Sequence, residues 1–146
     1  MKIGIASDHR GVELKQNLII FLNELGYNVI DFGTNSEESV DYPDFAFKVG
    51  EAINNSIDRG ILICGTGIGM SIACNKVKGV RCGKVNNAQE CMHARNDNNI
   101  NVVAISNKLD ITEASEIVKT FLDTPFSTEE RHIRRVSKID NYNAWV

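Results

Sequence analysis

Gly60 to Cys64 reads GILIC, and the chain continues from Cys64 to Ser71 as CGTGIGMS before Ile72 and Ala73 carry it onward. An apolar stretch this short, with almost no polar alternation, describes a strand buried on both faces, as happens where helices cover a parallel sheet from two sides. The glycines that follow mark the turn out of the strand, and the residues beyond them open a helix. Strand, loop and helix are therefore the unit to look for elsewhere.

On the N-terminal side the unit recurs. Lys2 to Ser7 (KIGIAS) is a strand pattern, followed by Asp8, His9, Arg10 and Gly11 and then by Leu14, Leu18, Phe21, Leu22 and Leu25 at helical spacing. Gly26 suits the stop of that helix, and Tyr27 to Phe32 (YNVIDF) is the next strand. Asp44 to Ile57 carries Phe45, Val49, Ala52 and Ile53 at a helical period. On the C-terminal side, Val80 to Val85 and Asn101 to Ile105 are strands, with helices over Ala88 to Arg95 and Thr112 to Leu122. The pattern predicts a three-layer α/β/α sandwich, Rossmann-like, with about five parallel strands and ligands bound at their C-terminal ends. Ser127 to Val146 reads as an extra C-terminal helix starting near Ser127, Thr128, Glu129 and Glu130; with no strand after it, it is expected to reach a partner subunit.

Length and composition set bounds on function. The chain has 146 residues, and 1–146 reads as a single domain; 42% hydrophobic residues, 24% charged and only 2 prolines describe a globular protein. A net charge of −3 argues against nucleic acid, whose backbone is held by concentrated Lys and Arg, but leaves room for a small anion at a local cluster. No apolar run approaches the roughly 20 residues of a membrane span, so no membrane partner is expected. Met1 to Asp8 enters a strand rather than a signal peptide, and the expected location is cytoplasmic. Cys64, Cys74, Cys82 and Cys91 lack C-x-x-C spacing, which suggests neither a zinc knuckle nor a redox pair.

Chemistry-bearing residues fall into three clusters. In the first, Gly65, Gly67 and Gly69 permit positive φ and close backbone approach, so N–H groups can converge on an oxyanion; a tight structural turn would use the same glycines. The spacing and the position after the third strand fit neither a dinucleotide fingerprint nor a P-loop. Cys64, at the strand end before this loop, sits where a thiol can become the base for a carbon-bound proton, or it is a small core hydrophobe. Thr66 offers a hydroxyl two residues on. In the second cluster, Asp8, His9 and Arg10 end the first strand at the same sheet edge, where polar residues commonly touch ligand: Asp8 suits sugar hydroxyls or a helix cap, His9 a phosphate. In the third, Arg131, His132, Arg134 and Arg135 form a basic run in which Arg131 and Arg135 share a helical face, either as a phosphate clamp or as a solvated surface paired with Glu129 and Glu130.

Taken together, IASDHRG at the start, VIDFGT with SVDYPDFA after it, ILICGTGIGMSIACNK and ERHIRRV closely resemble the ribose-5-phosphate isomerase B and galactose-6-phosphate isomerase family, in family order along almost the whole chain. The resemblance implies an aldose–ketose isomerase, independent of metal and of any cofactor, in which Cys64 moves a proton between C1 and C2 through a cis-enediolate and Thr66 assists ring opening. It implies that Asp8 and Tyr42 approach the sugar, that Gly65, Gly67 and Gly69 wrap it, that His9, Arg131 and Arg135 bind phosphate, and that Asn98 steadies the enediolate. It also implies a homodimer or homotetramer whose active sites combine two subunits.

Two positions depart from the family pattern. Where R-x-H-N-D-x-N is usual, the run is Arg95, Asn96, Asp97, Asn98, Asn99, Ile100 and Asn101, so Asp97 takes the place of the ring-opening histidine. An ordinary carboxyl, with a pKa of about 3.9, holds little proton at neutral pH. His93, four residues earlier, shares the face of Asp97 if the helix extends that far. Lys108 stands where a phosphate-binding arginine is usual, keeping the charge and losing the fork. The expected substrate is ribose 5-phosphate, isomerised to ribulose 5-phosphate; the alternatives are allose 6-phosphate or galactose 6-phosphate, or a noncatalytic sugar-phosphate binding subunit.

Overall fold

The computed structural model describes residues 1–142. Strands and helices alternate through β1 (Lys2–Ser7), α1 (Val12–Glu24), β2 (Asn28–Asp31), α2 (Tyr42–Ile53), β3 (Arg59–Cys64), α3 (Ile68–Cys74), β4 (Cys82–Lys84), α4 (Ala88–Asn98), β5 (Val102–Ser106) and α5 (Ile111–Asp123), and the chain closes with α6 (Glu130–Asn141). The five strands pair in parallel in the order β2-β1-β3-β5-β4. This is the expected α/β/α sandwich with its extra helix.

Strand periodicity sorts the core into two halves. Ile61 and Ile63 of β3, with Ile3, Ile5, Val103 and Ile105, pack under Leu14, Leu18 and Leu22 of α1 and Ile117 and Phe121 of α5. Leu62 and Cys64 point the other way, with Ala6, Val102 and Ala104, against α2 and α3. Each fully buried Leu or Ile contributes about 1.5–3 kcal/mol. The α2 side is built from small residues: a Cβ at Gly60 would lie 2.5 Å from Val49 Cγ1, so only glycine lets the helix settle this close to the sheet. That approach carries Tyr42, the first residue of α2, toward the end of β3.

Helix boundaries follow local chemistry. After α1, Gly26 adopts φ +88°, with Tyr27 N–H donating to Leu22 O and Gly26 N–H to Asn23 O, which stops the helix where expected. The second helix was expected over Asp44 to Ile57; it starts at Tyr42, with Pro43 in its first turn, and ends at Ile53. The expected end of the fourth at Arg95 is also corrected: α4 continues to Asn98 and stops at Asn99, in left-handed conformation at φ 49°. The last helix starts at Glu130, and Ser127 accepts the Glu129 N–H at 2.9 Å instead of capping it. The part of that helix expected over 143–146 lies outside the described residues. Its inner face packs on α4, burying His132 and Val136, and Asp140 bonds Arg81 at 3.0 Å.

Candidate active site

In this strand order the chain leaves β1 toward β2 on one side and crosses back to β3 on the other, so the C-terminal ends of β1 and β3 diverge and open a crevice between their loops. A cavity of about 560 Å³ lies there. Its walls come from the β1 loop (Asp8, His9, Arg10), the start of α2 (Val40, Tyr42) and the β3 loop (Cys64, Gly65, Thr66, Ile68, Gly69).

Cys64 is buried at 5% exposure, and its Sγ accepts the Gly67 backbone N–H at 3.2 Å. Thr66 Oγ1 accepts the Ile68 N–H at 3.1 Å, which leaves the hydroxyl proton free for another acceptor. All three loop glycines were expected to permit positive φ. Only Gly67 uses it, at +81°, where a Cβ would lie 3.1 Å from the Ile105 carbonyl carbon. Gly65 and Gly69 matter for space instead: a Cβ at Gly69 would sit 2.6 Å from Tyr42 Cζ, and one at Gly65 3.1 Å from Arg10 Nη1.

Asp8 does not cap α1, whose N-cap is Gly11 with no side-chain bond. Its Oδ1 accepts the N–H groups of Arg10 and Gly11 at 3.0 and 3.2 Å, fixing the β1 loop while the carboxylate lines the cleft. His9 Nδ1 accepts the Val40 N–H at 3.2 Å, so in the neutral ring the proton sits on Nε2, a donor. The segment carrying Val40 is anchored from behind: the fully buried Lys15 ammonium bonds Asp31 at 2.7 Å and Asn35 Oδ1 at 2.7 Å. Arg10 lines the same cleft, at the strand end where the sequence grouped it with Asp8 and His9 without giving it a task of its own.

The other sequence-derived residues lie outside the walls of this cleft. Asp97 and Asn98 sit at the C-terminal end of α4, Arg131 and Arg135 on α6, and Lys108 is exposed in the turn after β5. Arg131 bonds Glu129 at 2.8 Å. Around Asp97 a second cluster forms: His93 Nδ1 at 4.0 Å from Oδ2, His132 Nε2 at 3.7 Å from Oδ1, and Asn96 Nδ2 donating to Oδ1 at 2.7 Å. His93 thus shares the face of Asp97 as expected, whereas His132 was read only as part of a basic run.

Arg95 holds this end of α4 in place. Nearly buried, it donates to the carbonyls of Thr124 (3.0 Å) and Ile100 (2.6 Å) and to Asn99 Oδ1 (2.8 Å), and burial followed by the nearby Arg59 and Arg81 charges draws its pKa down to about 10.

A doubly wound sheet with a thiol, a hydroxyl and a glycine loop at its switch point is built to take a small molecule at the strand ends. The chain belongs to the ribose/galactose isomerase family, whose model matches residues 3–139. It is 39% identical over 147 residues to ribose-5-P isomerase B of Listeria innocua, covering 98% of this chain and 99% of that protein. The solved structure of ribose-5-phosphate isomerase B from Clostridium thermocellum superposes with a TM-score of 0.92 at 48% identity, covering 96% of this chain and 95% of that one. That of the Mycoplasma genitalium ribose-5-phosphate isomerase B with bound ribulose-5-phosphate gives 0.93 at 41% identity, covering 99% and 97%.

Proposed function

We propose that this chain interconverts ribose 5-phosphate and ribulose 5-phosphate by proton transfer through a cis-enediolate, with Cys64 as the base. The observation that carries the reading is the placement of Cys64 Sγ, in a chain of this family, in the wall of the cleft at the strand ends and 3.2 Å from the Gly67 N–H. That N–H points at the atom on which negative charge sits once the thiol has given up its proton. In this reading Asp8 and Tyr42 hold the sugar hydroxyls, the Nε2 of His9 meets the phosphate, and the Thr66 hydroxyl serves the ring oxygen.

Asp97, Asn98, Arg131 and Arg135 lie on α4 and α6, outside the walls of their own chain's cleft, and we assign them to the cleft of a second copy in a homodimer or homotetramer. The exposed Ile133 and Ile139 of α6 support an outward face for that contact. The free thiols suit the reducing cytoplasm. Among the described residues no helix is long and apolar enough to cross a membrane.

Incubation with ribose 5-phosphate in deuterium oxide tests the reaction: ketose should form, with deuterium entering the carbon beside the carbonyl. Cys64→Ala should abolish both, and normal turnover by that variant would sink the mechanism. Asp97 and Lys108, which depart from the family pattern, favour a second reading with a six-carbon sugar phosphate as substrate. Comparing kcat/KM for ribose 5-phosphate, allose 6-phosphate and galactose 6-phosphate decides between them.

A further inference from the structure

Asp97 and His132 lie on helices that pack on each other, and the segment joining α5 to α6 is tied to the end of α4. Arg95 Nε donates to Thr124 O at 3.0 Å and Ser127 N–H to Asn96 O at 3.0 Å. The side chain of His132 is 10% exposed, with Nε2 3.7 Å from Asp97 Oδ1 and Nδ1 3.7 Å from Glu129 Oε2. Nδ1 is buried with no hydrogen-bond partner. Asp97, in contrast, is 40% exposed. The imidazole is thus the buried member of the group, with an exposed carboxylate on either side of it, Asp97 toward Nε2 and Glu129 (58% exposed) toward Nδ1.

From the isomerase reading above, on which this inference rests, we infer that His132 is the positioning and proton-accepting partner of Asp97 in opening the sugar ring. An imidazole is a better proton acceptor in neutral water than a carboxylate is, so an imidazole placed directly behind a carboxylate gives a proton received there somewhere to go. In the step, the C1 hydroxyl gives its proton to Asp97 of the second copy. The electron pair of the C1–ring oxygen bond leaves with the ring oxygen as the C1 carbonyl forms, and that oxygen takes a proton from the Thr66 hydroxyl, which water refills. The proton on Asp97 passes to His132 Nε2 and then to water, while Glu129 faces the transient imidazolium. The other ionisable groups at this junction are His93, on the far side of Asp97, Arg131, whose Nε donates to the same Glu129 Oε2 at 2.8 Å, and Arg95, whose guanidinium is committed to carbonyls and Asn99.

Ribulose 5-phosphate separates the two steps, because this ketose is open-chain and reaches the enediolate without ring opening. In His132→Asn, turnover of ribose 5-phosphate should fall about 100-fold and its pH profile should lose its limb near neutrality. Deuterium entry at C1 of ribulose 5-phosphate should stay within about twofold of wild type. Adding Asp97→His to that variant should recover aldose turnover, since a single imidazole then supplies what the pair supplied. Equal losses in both assays, or loss in neither, overturn the pairing. A wild-type chain that neither converts nor exchanges either sugar defeats the isomerase reading first, and this inference falls with it.

Discussion

Gly67 donates its backbone N–H to Cys64 Sγ from a left-handed conformation, φ +81°, pressed against the backbone of Ile105. The loop thus spends its one positive φ on aiming a donor at the thiol. Gly67→Ala forces a left-handed alanine, which costs about 1–2 kcal/mol, and adds a contact with backbone that has no side-chain freedom to yield. The variant should melt at a lower temperature and lose turnover beyond what its folded fraction explains, measured by thermal unfolding beside kcat.

Gly69→Ala should behave differently. The obstacle there is the far end of the Tyr42 ring, and Tyr42 is 39% exposed at the start of α2, so it can swing outward. Stability should change by less than about 1 kcal/mol while KM for the sugar phosphate rises several-fold, because the ring that borders the cleft has moved. Unfolding midpoints and steady-state kinetics on the same preparation check both halves.

If each active site draws on two copies, complementary defects should rescue one another. Cys64→Ala and Arg131→Ala should each be nearly inactive alone. When the two are unfolded together and refolded, mixed assemblies contain some clefts with both groups intact, and activity should return to roughly a quarter of wild type for a dimer that assembles at random. Activity that stays at the level of the separate variants would show that one chain carries its site alone.

Cys91 sets a pH dependence unrelated to the site. Fully buried beneath α5, its thiol is pushed from 9.0 up to about 12 by burial, with Arg95 and Arg59 opposing. The folded state therefore keeps a proton that the unfolded chain releases. The resulting stabilisation is complete below pH 9 and is lost as pH rises toward 12, by at most about 1.4 kcal/mol per pH unit. Urea unfolding at pH 8, 9, 10 and 11 should show wild type losing stability more steeply than Cys91→Ala.

How far the sequence discloses all this depends on where each signal resides. GILIC is apolar enough to place Cys64 at a strand end whatever surrounds it, and Asp8 and His9 follow a strand of the same kind. The insertion of β5 between β3 and β4 has no local signature, because strand neighbours are chosen by packing across the whole sheet. Arg95 looks like the basic residue of a last turn, yet it is turned inward to carbonyls, and α4 runs on to Asn98. His132 was hidden for a related reason: within ERHIRRV it reads as surface, and only the contact of α6 with α4 buries it.

The sheet order divides the molecule into a rigid half and a revisable half. Cys64 is rooted in a strand sealed on both faces, where almost any change disturbs the interior. Asp97, Asn98, Arg131 and Arg135 stand at the end of one helix and on another that sinks only His132 and Val136. On the assignment proposed above, lineages of this architecture can exchange the groups on α4 and α6 that would greet the sugar without rebuilding the strand end that would remove its proton, and a shift in substrate should leave its record along α4 and α6 while β3 stays silent.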